Sequence, residues 1–314
     1  MNLELFIARR IAHNGSGNRP GVMVRIAVVA VALSVTVMIL ALAVIMGFKR
    51  EITDRVTGFS AQVEVADLRS AGSIESVPVL RSEQLERTIR SAGEVVRLTP
   101  YAVKGGVVKT PDAILGVMLK GVDGGYEWSF FRDHLLEGEL PRVGDSIRTK
   151  EILISRSVAR EMGLVPGDKV EMLFVESEKS PRRDRFKVSG IYATGMDEFD
   201  RSVAMTDLRN VQRLADWSSE EVSGYEVTLA DFLQAEDFSR RLNDMLLDSD
   251  REAFWDLTAR SAQERFPTVF DWLKTHDVNA AVILVIMVVV AVFNMATALL
   301  TLVLERTRMI ALLK

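Results

Sequence analysis

Two uninterrupted apolar runs constrain this chain more than any other feature. Ile26–Met46 holds 21 residues without a charge, and Val278–Leu304 holds 27. As helices rising 1.5 Å per residue they are about 32 and 40 Å long, enough to cross a hydrocarbon core of roughly 30 Å. The first run follows 25 other residues and exceeds the usual apolar core of a cleaved leader. It therefore reads as a membrane helix, despite the small residues Ala41-Leu42-Ala43 that resemble a cleavage site. A disordered chain, a wholly soluble enzyme and a cysteine-stapled secreted module do not fit this pattern.

Charge sets the expected orientation. Arg9, Arg10, Arg19 and Arg25 precede the first run with only Glu4 against them, and Arg306, Arg308 and Lys314 follow the second with only Glu305. The ends contribute +3 (residues 1–47) and +2 (305–314) to the total of −4, which leaves −9 on the residues between. Cations concentrate on the cytoplasmic side of membrane helices, so both ends are expected in the cytoplasm and the 230 residues from Phe48 to Asp277 outside. Zero cysteines is compatible with an oxidising compartment.

The expected organisation is a cytoplasmic helix and linker (1–21), a first transmembrane helix (22–47), an extracytoplasmic domain (48–277), a second transmembrane helix (278–304) and a cytoplasmic segment (305–314). Apolar residues at Phe48, Ile52, Val56 and Phe59, and again at Phe266, Val269, Phe270 and Leu273, continue helical periodicity beyond each run. The membrane helices are thus expected to extend outward as stalks. Strand patterns fall at 62–66, 94–98, 102–108, 113–120, 151–154, 169–175, 185–192 and 222–229, and helical patterns at 82–91, 155–162, 207–214 and 231–247. The fold class is α+β: a βα layer built from both ends of the domain, with an inserted, mostly β subdomain at about 110–205.

No residue pattern supports catalysis. A P-loop, H-E-x-x-H and G-x-S-x-G are all missing, and His13, His134 and His276 lie far apart. No cofactor is expected, and no nucleic-acid partner. Asp197, Glu198 and Asp200 are acidic neighbours best read as a solvated loop. Small and polar residues line one side of each run, and Ala27, Ser34, Asn294 and Thr301 are candidates for helix packing, because small faces admit close approach and an amide in lipid seeks a partner.

Longer motifs carry a family resemblance. AVIMGFKREITDRVTGFSAQVEV (43–65) resembles the end of the first span in lipoprotein-releasing permeases, and LERTRMIALLK (304–314) resembles the segment that opens their cytoplasmic loop. LPRVGD (140–145), EILISRSVAREMGLVPGDKVEM (151–172) and GIYATGMDEFDRSVAMTDLRNVQRL (190–214) match the outer domain in order and spacing. The chain is thereby similar to the MacB/FtsX-like superfamily of ABC transporter permeases, in its LolC/LolE branch. Met309 stands where that family usually has an acidic residue, and Met46 where Asn is common. Family members have four spans, so the resemblance implies that this chain stops inside the loop after the second.

The resemblance further implies a MacB-like periplasmic core, residence in a bacterial inner membrane, and a non-catalytic role. The partners it implies are a cytoplasmic ABC ATPase dimer, a second permease subunit, a lipoprotein cargo, a periplasmic lipoprotein carrier and membrane lipids. Glu305, Arg306, Arg308, Ile310 and Leu313 would couple to the ATPase. Lys179, Pro181, Arg182 and Arg183, at the tip of an exposed hairpin spanning 176–184, would contact the carrier. Efflux or regulation of a cell-wall hydrolase is the alternative within the superfamily, and a two-span sensor is the alternative outside it.

Overall fold

The computed structural model describes residues 22–70, 75–110, 113–176, 179–196, 200–250 and 252–305. Its contacts divide the chain into two units, Met1–Ile52 with Thr268–Lys314, and Thr53–Pro267. The expected helix within residues 1–21 lies outside the described residues.

Two helices supply the first unit, α1 (Val22–Ser60) and α9 (Pro267–Glu305), the unit boundaries falling within their length. Both are long and apolar enough to cross a membrane. Their Val- and Ile-rich composition would suit a strand in water, but in lipid the backbone must satisfy its own hydrogen bonds and the helix wins. Polar side chains inside them do the same locally. Ser34, Thr36 and Thr297 each donate to the carbonyl four residues back, at 2.9, 2.8 and 2.8 Å. Just outside the apolar runs, Phe48 meets Trp272 edge-on at 5.6 Å, and Trp272 meets His276 at 4.3 Å.

The second unit is built on one ten-stranded mixed sheet in the order β12-β1-β11-β3-β4-β9-β6-β8-β5, with β7 pairing β3 and β8. The strands are β1 (Val63–Asp67), β3 (Val95–Lys109), β4 (Ile114–Val122), β5 (Leu135–Gly138), β6 (Glu151–Ser155), β7 (Lys169–Glu176), β8 (Lys179–Tyr192), β9 (Val203–Asp207), β11 (Gly224–Leu229) and β12 (Leu257–Ser261). A separate short pair joins β2 (Val79–Leu80) to β10 (Glu221–Val222). Residues 110–205, expected as an inserted β-rich part, supply β4 to β8 and the start of β9, all of them strands of the one ten-stranded sheet.

Helices α2 (Glu83–Ser91), α4 (Arg156–Met162), α5 (Leu208–Leu214), α6 (Ala235–Leu247) and α7 (Glu252–Trp255) contribute to one apolar core with the sheet. Leu85, Ile89, Phe238, Leu242 and Leu246 share it with Val63, Val65, Tyr225 and Val227, the inward positions of alternating strands. Starts of α2, α4 and α5 are set by side-chain caps, Ser82 to Leu85 N, Ser155 to Val158 N and Asp207 to Arg209 N. The C-terminus of α4 is closed by Gly163 in the left-handed region.

Two expected strands, 94–98 and 102–108, are one strand. Pro100 does not break it, because β4 pairs with β3 only from Tyr101 onward and that side of the strand is open at the proline. The 176–184 segment is also more regular than a loop. Pairing of β7 with β8 continues to Glu176↔Lys179, leaving only residues 177 and 178 between the strands.

Candidate functional site

The face of the sheet opposite α2 and α6 carries charge and aromatic rings where an apolar face would be ordinary. Register places Glu64 of β1 directly across from Glu226 of β11 on one side and from Arg260 of β12 on the other. Two carboxylates in adjacent positions repel, so cations must separate them. Arg265 Nε lies 2.9 Å from Glu64 Oε2, Arg260 Nη2 lies 3.4 Å from the same oxygen, and Lys120 Nζ of β4 lies 2.6 Å from Glu226 Oε1. Tyr101 donates its hydroxyl to Glu64 Oε1.

Burial alone would raise the Glu64 pKa, but the Arg265 charge, the Tyr101 hydrogen bond and the more distant Arg260 and Lys120 outweigh it and hold the carboxyl below the ordinary glutamate value. The associated stabilisation is complete above that ordinary value and is lost as pH falls through the folded-state pKa. Burial, with the Glu64 charge beside it, pushes the Tyr101 phenol the other way, well above the usual range.

An aromatic cluster adjoins the ions. Phe131, on the short helix α3 (Ser129–Asp133), is fully buried among Phe59, Tyr126, Trp128, Phe130 and Tyr192, with ring centroids 5.2 to 6.3 Å away. Tyr126 bridges the two clusters, its ring centroid 5.5 Å from Lys120 Nζ. Phe59 and Val56 are buried residues of the last turns of α1, so this face receives that helix end.

A hydrogen bond further along α1 holds the same turns. Arg55 Nη1 donates to Thr194 O at 2.7 Å. The loop offering that carbonyl is organised by buried Asp200, which accepts from Thr194 N, Thr194 Oγ1 and Gly195 N at 3.0, 2.9 and 3.2 Å. Gly195 has φ +76°, and a Cβ there would stand 2.7 Å from Arg55 Nη1. Asp200 is therefore a structural group; Asp197 and Glu198 lie outside the described residues. Among the described residues no cluster of His, Asp and Glu could hold a metal.

Gly58 explains the remaining closeness, since a Cβ there would come within 2.4 Å of the Phe130 ring. Alanine improves helix propensity by about 1 kcal/mol over glycine, but overpacking costs about 1–3 kcal/mol. Gly58→Ala is expected to lower the thermal unfolding midpoint, and Gly58→Ala with Phe130→Ala to regain part of that loss. A stabilised single variant would show that α1 does not seat against Phe130.

The other candidate residues are scattered. Pro181, Arg182 and Arg183 are exposed on β8, and Lys179 begins that strand. Arg182 is turned back onto the domain, 2.5 Å from Asp216 Oδ2 and donating to Arg213 O at 3.1 Å, while Arg183 lies 3.7 Å from Glu171. Ser34 is half-buried and Asn294 exposed. Ala27 and Thr301 belong to α1 and α9, but their side chains lie outside the described residues, as does that of Glu305. Arg306, Arg308, Ile310 and Leu313 lie outside them altogether.

Sequence reasoning missed the ionic face and the YEWSFF aromatic cluster (126–131). The density of aromatic residues in that hexapeptide was a usable signal. Partners 106 to 201 residues apart in sequence, such as Lys120 with Glu226 or Glu64 with Arg265, left none.

Residues 26–245 match the family described as the MacB-like periplasmic core domain. The chain is similar to the lipoprotein-releasing system transmembrane protein LolC of Xylella fastidiosa, 26% identical over 288 residues that cover 87% of this chain and 63% of that protein. LolC of Neisseria meningitidis serogroup B is 25% identical over 284 residues, covering 87% and 64%. The chain thus spans under two thirds of the length of these relatives. The solved periplasmic region of MacB from Actinobacillus actinomycetemcomitans is similar over 67% of this chain and 93% of its own, at 14% identity and a TM-score of 0.44.

Proposed function

We propose, from the premise that this chain belongs to the MacB-like periplasmic core domain family, that it is the permease subunit of a bacterial ABC transporter that works by mechanotransmission. The observation that carries this reading is the extent of the likeness to LolC. It covers 87% of the chain, more than the unit Thr53–Pro267 alone supplies, and so includes membrane-helix residues as well as the outer domain. The cargo is a lipoprotein destined for the outer membrane. A separate cytoplasmic ATPase dimer hydrolyses ATP, and a second permease subunit, identical or related, completes the membrane part.

In this reading the chain sits in the inner membrane with both ends cytoplasmic, and α1 and α9 continue outward as stalks. ATP binding favours one of two arrangements of the helices, and the outer domain follows through the seat of Val56 and Phe59. Asn294 and Ser34 meet neighbouring helices. The exposed basic strand bearing Lys179, Pro181, Arg182 and Arg183 faces a periplasmic carrier. Glu305, Arg306, Arg308, Ile310 and Leu313 form the coupling segment.

The test is Ile310→Ser with Leu313→Ser in the full-length permease. Every cation stays in place, so a simple membrane anchor tolerates the change. A docking segment loses its apolar contacts, and ATPase association and lipoprotein release are expected to fall while topology is unchanged. Normal binding with normal release would leave only the anchor.

A further inference from the structure

The domain is entered from α1 and left towards α9, and these two points of the chain meet at one side chain. Ser60 is the last residue of α1, and Ala61 follows it with φ +49°, the left-handed turn that ends helices and that glycine normally occupies. The Ser60 carbonyl lacks an intrahelical partner, as every terminal carbonyl does. Its donor comes from 205 residues away: Arg265 Nη1, at 3.0 Å. The same guanidinium holds Glu64 at 2.9 Å through Nε.

Arg265 is itself rigidly placed. It ends α8 (Ala262–Arg265), whose start is locked by a capping box between Ser261 and Glu264. Ser261 pairs with Val63 in the sheet, and Ala262 N donates to Gln62 O at 2.8 Å. Phe266 and then Pro267, the first residue of α9, follow directly. A planar, permanently charged fork is the side chain suited to bridging a carbonyl and a carboxylate at once; a lysine ammonium is a point charge that cannot hold this geometry.

We propose that Arg265 is a positioning residue that caps α1 from the far end of the domain and, through Glu64, makes the outer ends of the two membrane-helix segments one mechanical node. This rests on the transporter reading for its consequence but not for its structure. With the node intact, residues 60–66 and 257–266 open and close together. With it broken, the pairing of β1 with β12 still joins the two segments, but the end of α1 is no longer fixed to them, and a displacement carried by that helix is dissipated before it reaches the sheet.

Two measurements on the full-length permease in its ATPase complex, in lipid nanodiscs, test the two parts separately. The first is native-state hydrogen exchange of the wild type and of Arg265→Gln and Arg265→Lys without nucleotide. Amides 61–66 and 257–266 are expected to exchange as one cooperative unit in the wild type. In Arg265→Gln the amides at 61–66 exchange about tenfold faster or more, the loss of a charged hydrogen bond, with Arg265→Lys between. Separate exchange of the two segments in the wild type overturns the proposal, whatever the variants do.

The second is the ATP-driven distance change between a spin label at Ser249 of the outer domain and one at Ala281 of α9, each converted to cysteine, with ATP hydrolysis followed in parallel. Arg265→Gln is expected to keep basal hydrolysis and lose most of the distance change; a full change in that variant overturns the node. A wild type that shows no nucleotide response fails the transporter reading alone, and the exchange result still decides the node.

Discussion

Lys120→Met is expected to destabilise the outer domain by about 3–5 kcal/mol, the cost of leaving a buried charge without its partner. Lys120 and Glu226 side chains are only 9% and 8% exposed, and their 2.6 Å contact is the most enclosed ion pair on this face. Removing the cation also leaves Glu226 directly across from Glu64 with nothing between them on that side. Denaturant unfolding of the whole chain in detergent measures the loss. Lys120→Met with Glu226→Leu is expected to recover most of it, because removing both charges leaves neither buried alone. The deficit of the single variant is also expected to shrink as pH falls through the carboxylate range, because Lys120 is one of the cations that hold the Glu64 carboxyl below its ordinary value, and the stabilisation it adds there is lost once that group is protonated. Wild-type stability in Lys120→Met would mean that the pair is solvated and that this face is an ordinary polar surface.

The same face shows why only part of the molecule was legible beforehand. Membrane-helix candidates, capped helices and most long strands follow from local patterns. The apolar runs, Ser82, Ser155 and Asp207 at helix starts, and β-branched alternation all act within a few residues of themselves. β12 escaped because Leu257–Ser261 has one large apolar residue, with Ala259 and Ser261 as its other inward positions. The stripe Phe48, Ile52, Val56, Phe59 was visible, but not that Val56 and Phe59 are buried while Phe48 is half exposed against Trp272. Periodicity says which residues share a helix face; it does not say where along the face the surroundings change. Glu64, between Val63 and Val65, falls in the strand expected at 62–66. Its partners come from β12, α8 and β3, and only the folded register brings them together.

Phe131→Ala is expected to cost about 3–5 kcal/mol as well, but for a reason that does not involve charge. Phe131 has no exposed surface and five aromatic neighbours, among them Phe59 at 5.9 Å and Tyr192 at 5.2 Å, edge-on. Truncation removes a ring's worth of buried area and leaves a cavity whose walls are themselves rigid rings that collapse poorly. Leu233→Ala, at a position 81% exposed, is the control and should stay within about 0.5 kcal/mol of wild type. The pH behaviour separates the two clusters. The Phe131→Ala deficit is expected to stay flat as pH falls through the carboxylate range, because no titrating group loses a partner, whereas that of Lys120→Met shrinks there. Phe59 in the last turn of α1 packs on Phe131, so the cavity should also loosen that turn, and amides 56–60 are expected to exchange faster in Phe131→Ala while those of β6 do not. Equal acceleration in both places would mean that the ring stabilises the domain as a whole and has no particular hold on the helix end.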